Sequence, residues 1–207
     1  MDKLLITIDG PAGAGKTTVS RALADRLGYR YIDTGALYRA VALAAKTRGI
    51  NPENDAELKG LCAELELAFV LVEAELRLFL NGEDITDQLR SADITMLASA
   101  ISARPVVREY LLDLQRTLGK EKAAVFEGRD MGTVVLPDAS MKFFLTADLE
   151  ARASRRYREL LERDAHRPQP EILADMRARD LRDESRAESP LVQAPDAVVV
   201  DSTALTP

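Results

Sequence analysis

Gly10-Pro11-Ala12-Gly13-Ala14-Gly15-Lys16-Thr17 lies between the short apolar run Leu4 to Ile8 and a stretch of helical periodicity. Two glycines five positions apart, followed at once by Lys and Thr between a strand and a helix, form a phosphate-binding P-loop pattern. Glycines let backbone amides point inward around a phosphate, and the helix N-terminus adds about half a positive charge. Residues Gly10, Pro11, Ala12, Gly13, Ala14, Gly15, Lys16, Thr17 and Thr18 therefore line the phosphates of a bound nucleoside triphosphate. Lys16 is expected to reach the β and γ phosphates and to act in catalysis, and the Thr17 hydroxyl to sit on Mg²⁺.

Working outward, Val19, Leu23 and Leu27 mark one face of the following helix, which Gly28 stops. A short strand at Tyr31 to Ile32 precedes an apolar helix from about Ala36 to Thr47. Alternating strands and helices imply an α/β fold with a doubly wound parallel sheet. Between about 51 and 104 the rhythm changes: Leu67 to Val72 and Leu76 to Leu80, followed by Asn81-Gly82, predict an inserted antiparallel β-element. Pro105 suits the first position of a long amphipathic helix running to Leu118. Strands follow at Ala123 to Phe126 and Met141 to Leu145. A charged helical stretch, about Leu149 to Glu184, is broken by Arg167-Pro168-Gln169-Pro170, and the last strand is Ala197 to Val200. The 207 residues read as a single P-loop domain, with core segments 1–50, 105–148 and 187–207, the insert at 51–104 and a helical segment at 149–186.

Composition narrows the function. Lys plus Arg number 28 against 34 Asp plus Glu, a net charge of −6, which argues against a polymeric nucleic-acid partner. With five Tyr, five Phe and no Trp, single-strand stacking platforms are not expected either. Apolar runs are too short to cross a bilayer and no cleavable leader is read at the N-terminus. One cysteine and one histidine exclude an intrachain disulfide and a Cys/His zinc cluster, and fit a cytoplasmic protein. Cys62 reads as a small hydrophobe and His166 as an exposed loop side chain. Arginine outnumbers lysine 21 to 7, and ten of the arginines lie between Arg152 and Arg186 among eight carboxylates. Phosphoryl transfer needs guanidinium groups closing on the transferred phosphate, so Arg152, Arg155, Arg156, Arg158, Arg163 and Arg167 fit a lid. A solvated, ion-paired helix would carry the same residues.

A second substrate is expected at Asp33-Thr34-Gly35-Ala36-Leu37-Tyr38-Arg39, since doubly wound sheets bind ligands beyond the carboxyl ends of their strands. Thr34 can donate a hydrogen bond there, and Arg39 can offer a guanidinium fork to a phosphate.

Gly10 to Thr18, Asp33 to Arg39, Glu127-Gly-Arg-Asp-Met-Gly-Thr-Val-Val-Leu-Pro-Asp-Ala139 and Arg179-Asp-Leu-Arg-Asp-Glu-Ser-Arg186 with Pro190-Leu191 together resemble bacterial cytidylate kinases. The resemblance spans nearly the whole chain in order, and its most specific part is Gly128 to Ala139. It implies transfer of the γ-phosphoryl of ATP to CMP or dCMP with Mg²⁺. The acceptor phosphate would then be held by Arg39, Arg129 and Arg186, the cytosine by Ser99, Arg108 and Asp130, and the sugar by Arg179 and Asp183. Thr34 stands where the family carries Ser, and the β-insert corresponds to a monophosphate-binding region. The resemblance brings Arg155 or Arg156 nearest the transferred phosphate, without deciding between them. It also implies a C-terminal helix beyond the last strand, whereas this sequence ends at Pro207, soon after Val200. A monomer is expected. Rival readings are another P-loop nucleoside monophosphate or small-metabolite kinase, and a nucleotide-dependent switch or binding module. Against a GTPase, no Asn-Lys-x-Asp occurs, because the three Asn precede Pro52, Asp55 and Gly82.

Overall fold

Leu5–Asp9 forms β1, buried along its whole length, as expected of a central parallel strand covered on both faces. The computed structural model describes residues 3–73, 75–162 and 165–206. α1 (Lys16–Leu27) follows the loop and ends at Gly28, and β2 spans Arg30–Asp33. β6 (Ala124–Glu127), β7 (Met141–Thr146) and β8 (Val198–Asp201) complete a five-stranded sheet in the order β2-β6-β1-β7-β8. β1 pairs in parallel with β6 and with β7, and β7 with β8, so the doubly wound parallel sheet is present.

On α1, Lys16, Ser20 and Ala24 are buried and Leu23 packs partly buried against the strand core, whereas Val19 and Leu27 are exposed. Small side chains let the helix approach closely, so the apolar period Val19, Leu23, Leu27 coincides only in part with the buried face.

Two compact units divide the chain: residues 1–32 with 122–207, and residues 33–121. The first contains the sheet and the helices α6 (Leu149–Glu162) and α7 (Gln169–Ser185). These two helices pack through Ala153, Ile172 and Met176, with Tyr157, Leu160 and the loop residue Ala12 alongside. Between β6 and β7 lies a π-helical turn, Met131–Val135, which the sequence did not suggest.

The second unit holds α2 (Thr34–Thr47), α3 (Asp55–Glu64), α4 (Ala92–Ile101), α5 (Pro105–Lys120) and a small antiparallel sheet. That sheet is β3 (Leu67–Val72), β4 (Glu75–Leu80) and the short β5 (Glu83–Asp84), in that order. Its core runs from Leu37, Ala40 and Val41 of α2 through Leu58, Leu61 and Leu78 to Ile101, Val107 and Leu111. α2 and α5 therefore share one apolar cluster with the 51–104 stretch, which is why the unit extends beyond it on both sides. Among the described residues, no helix is long and apolar enough to cross a membrane.

Candidate active site

Steric necessity fixes the loop that the sequence announced. Gly10 has φ +143°, and a Cβ there would lie 1.9 Å from the Leu145 carbonyl oxygen. Gly13, at φ +76°, would press a Cβ within 2.9 Å of the Met176 side chain. Only glycine fits either place.

The Lys16 ammonium is 4% exposed and donates to the Pro11 carbonyl at 2.7 Å. Burial pushes its pKa down to about 7; Arg129 and Arg179 push the same way, against Glu127 and Asp9. An ammonium whose burial outweighs its nearby carboxylates would be restored to full charge by added anionic oxygens, such as those of a phosphate. Asp9, at the end of β1, moves oppositely: burial raises its carboxyl to about 6, although the amides of Gly132 and Met131 hydrogen-bond it.

Thr17 Oγ1 donates to Glu127 Oε1 at 2.9 Å, and the Tyr31 hydroxyl donates to Oε2 at 2.6 Å. Glu127 closes β6, the neighbour of β1, and sequence reasoning assigned it no role. Its place at the carboxyl end of a strand beside the loop strand was the available signal. Mg²⁺ prefers oxygen donors, usually one or two from protein with the rest from phosphates and water. A hydroxyl and a carboxylate in direct contact meet that requirement.

Four of the expected acceptor residues meet within the first unit. Asp183, 4% exposed, accepts from Arg129 Nε at 3.0 Å and lies 4.0 Å from Arg179 Nε and 3.7 Å from Arg186 Nη2. Burial alone would raise its carboxyl, but the three guanidinium groups outweigh that and hold it below the usual range. Three cations around one carboxylate leave charge for a phosphate. Asp130 is buried nearby in sequence, and its carbonyl accepts from Val134 and Val135 to close the π-helical turn.

Along α6, adjacent arginines go to different tasks. Arg152 is buried, bonds Asp180 at 2.7 Å and donates to the carbonyls of Ala147 at 2.8 Å and Ala12 at 3.1 Å, tying α6 and α7 to the phosphate loop. Arg155, one of the two arginines expected nearest the transferred phosphate, grips the carbonyls of Ser202, Thr203 and Leu205 and the Ser202 hydroxyl; that hydroxyl in turn donates to Ala14 O at 2.9 Å. Its fork is occupied by the segment after β8, a destination that helical spacing alone does not reveal. Arg156 pairs with Glu159 at 2.7 Å and stays a third exposed, Arg158 is exposed, and Arg167 pairs with Asp175 at 2.8 Å. Arg163 lies outside the described residues. His166 is exposed in the α6–α7 connection, and burial pushes the Cys62 thiol up to about 11, which keeps it unreactive.

The second unit carries Thr34, Arg39, Ser99 and Arg108. Asp33 caps α2 by accepting from the Ala36 amide at 3.1 Å, and its other oxygen binds Arg39 at 2.6 Å. Thr34 is buried beside it. Arg108 lies 5.6 Å from the centre of the Tyr38 ring and donates to Ser102 O at 3.1 Å. The Ser99 hydroxyl is buried without a hydrogen-bond partner among the described residues, an uncompensated cost that a polar ligand would remove.

The family described as cytidylate kinase matches residues 6–207. A cytidylate kinase of Geobacter sulfurreducens is 53% identical over 98% of this chain and 87% of its own length. One from Ligilactobacillus salivarius is 47% identical over 99% of this chain and 91% of its own. Among solved structures, a gluconokinase from Sinorhizobium meliloti aligns over 96% of this chain and 82% of its own, with 17% identity and a TM-score of 0.44.

Proposed function

The chain belongs to the cytidylate kinase family, and from that premise we propose how its residues divide the reaction. It phosphorylates CMP and dCMP at the expense of ATP, and is therefore a phosphotransferase rather than a switch. The observation that carries this is the family match over residues 6–207, joined to a phosphate loop with a buried lysine.

ATP phosphates occupy the loop from Gly10 to Thr18, where Lys16 leaves the Pro11 carbonyl for the β and γ oxygens. Thr17, with Glu127 beside it, would hold Mg²⁺, which neutralises charge on the phosphates. Arg39, Arg129 and Arg186 hold the acceptor phosphate, and Arg179 and Asp183 hold its sugar. Releasing guanidinium groups from Asp183 to a phosphate exchanges one charge-assisted pairing for another at little cost. Ser99, Arg108 and Asp130 read the cytosine edge. That edge offers an amino donor and two acceptors, which a carboxylate, a guanidinium and a hydroxyl can satisfy together; uracil inverts two of them. Thr34 supports the acceptor site.

Residues 149–186 act as the lid. Arg156 serves the transferred phosphoryl, since its guanidinium pairs with Glu159 one turn along the same helix while that of Arg155 is occupied by the segment after β8. Closure aligns acceptor and donor oxygens and excludes water that would hydrolyse ATP. The protein acts as a cytoplasmic monomer on free nucleotides.

The direct test mixes the protein with ATP, Mg²⁺ and CMP and follows both products. ADP and CDP should appear in equal amounts. ADP without CDP would show hydrolysis and sink the reading.

A further inference from the structure

Asp9 precedes the phosphate loop yet spends both carboxylate oxygens elsewhere. Oδ1 accepts from the Met131 amide at 3.0 Å and Oδ2 from the Gly132 amide at 2.8 Å. These are the first two N–H groups of the π-helical turn, which no carbonyl inside that turn can reach. Behind the turn, Val134 and Val135 donate to the Asp130 carbonyl at 2.9 and 3.1 Å, and Leu136 donates to Met131 O at 2.7 Å. The turn is thus pinned at its start by one side chain and closed by its own backbone. Immediately before it stand Arg129 and Asp130.

The other side of the turn is equally tight. A Cβ on Gly132 would lie 3.1 Å from Thr7 Oγ1, 3.2 Å from Lys142 Cδ and 3.4 Å from Asp9 Oδ2. Lys142 is itself fixed by two bonds to Asp196, at 2.9 and 2.8 Å. Thr7, Asp9 and Lys142 belong to the paired strands β1 and β7, so the turn rests on the rigid centre of the sheet.

We infer that Asp9 is a positioning residue for the acceptor: by clamping the Met131 and Gly132 amides it sets Arg129 and Asp130 where CMP is bound. This deepens the function proposed above and rests on Arg129 and Asp130 contacting the acceptor. A carboxylate is suited to the task because both its oxygens accept, whereas an asparagine in the same place must turn an NH₂ group toward one of the two amides. Burial raises the Asp9 carboxyl to about 6, above its usual 3.8, so its ionised form costs the folded chain stability at neutral pH. A buried charge held at such a cost suits a role in function better than one in stability.

Asp9→Asn tests this by steady-state kinetics, with the melting temperature measured in parallel. The KM for CMP should rise about tenfold or more, the scale set by losing one charge-assisted hydrogen bond, while the KM for ATP changes less than about threefold. The melting temperature should stay within a few degrees of the parent, because removing a costly buried charge offsets the lost bond. Gly132→Ala displaces the same turn with Asp9 intact and should raise the KM for CMP in the same direction. Equal rises in both KM values for Asp9→Asn would assign Asp9 to the phosphate loop and overturn the inference, as would an unchanged KM for CMP in either variant. Arg129→Ala and Asp130→Ala run alongside: if these move the KM for CMP and Asp9→Asn does not, only the inference fails. If neither moves it, the acceptor assignment itself fails.

Discussion

The loop from Gly10 to Thr17 and the helical pair α6–α7 are built on opposite principles. The loop works through backbone: Gly10 is forced by a contact of 1.9 Å, Gly13 and Gly15 by φ of +76° and +90°, and its single cation is buried against a carbonyl. The helical pair works through side chains, and its guanidinium groups are parcelled out among carboxylates and carbonyls. A backbone device tolerates almost no substitution and is written plainly in the sequence. In a side-chain device neighbouring positions take unrelated jobs: Arg152 braces the loop, Arg155 secures the segment after β8, and Arg156 pairs with Glu159 on its own helix.

Removing the loop's cation is the harshest way to probe this contrast. Lys16→Ala should lower turnover by about 10³-fold while the protein stays folded, because the loop from Gly10 to Thr17 carries no other cation. A loss below tenfold would mean that side chains of the helical pair can substitute for it. Next comes the brace between the two regions. Arg152→Ala leaves Asp180 buried without its partner and should cost about 3 kcal/mol in denaturant unfolding. If stability is unchanged, the two regions are not tied through this pair.

Arg155 and Arg156 sharpen the comparison within one helix turn. Arg156→Ala should lower kcat about 10²-fold at an unchanged melting temperature, whereas Arg155→Ala should lower the melting temperature and affect kcat less. The reverse pattern would exchange their roles. A smaller effect concerns Asp183, whose carboxyl is held below its ordinary 3.8 by three guanidinium groups. A depressed folded value contributes stability that is present above 3.8 and lost as pH falls below it. Unfolding measured in acid should therefore show a shallower loss for Asp183→Asn than for the parent; parallel curves would place the arginines' counter-charge elsewhere.

Legibility follows the same division. β1, the loop, the alternation of strands and helices and the antiparallel hairpin were readable because local spacing dictates them: periodicity, glycines and turn residues act within a few positions. The buried face of α1 was only partly legible, because Ser20 and Ala24 face inward beside Leu23 for close packing, which hydrophobic period does not report. The π-helical turn escaped because its start is held by Asp9, more than a hundred residues earlier in the chain. Glu127 was quoted within a family pattern, yet its contact with Thr17 becomes visible only when β6 lies beside β1. The separate duties of Arg155 and Arg156 depend on where the segment after β8 runs, which no local pattern encodes.

The claim that joins these regions is transfer to a cytosine monophosphate, and acceptor selectivity tests it most directly. ADP formation from ATP and Mg²⁺ should be measured with CMP, dCMP, UMP and AMP in parallel. CMP and dCMP should support turnover, with UMP and AMP lower in kcat/KM by about tenfold or more, as mismatched buried hydrogen bonds require. Comparable rates with UMP or AMP, or ADP release that needs no acceptor, would contradict the account.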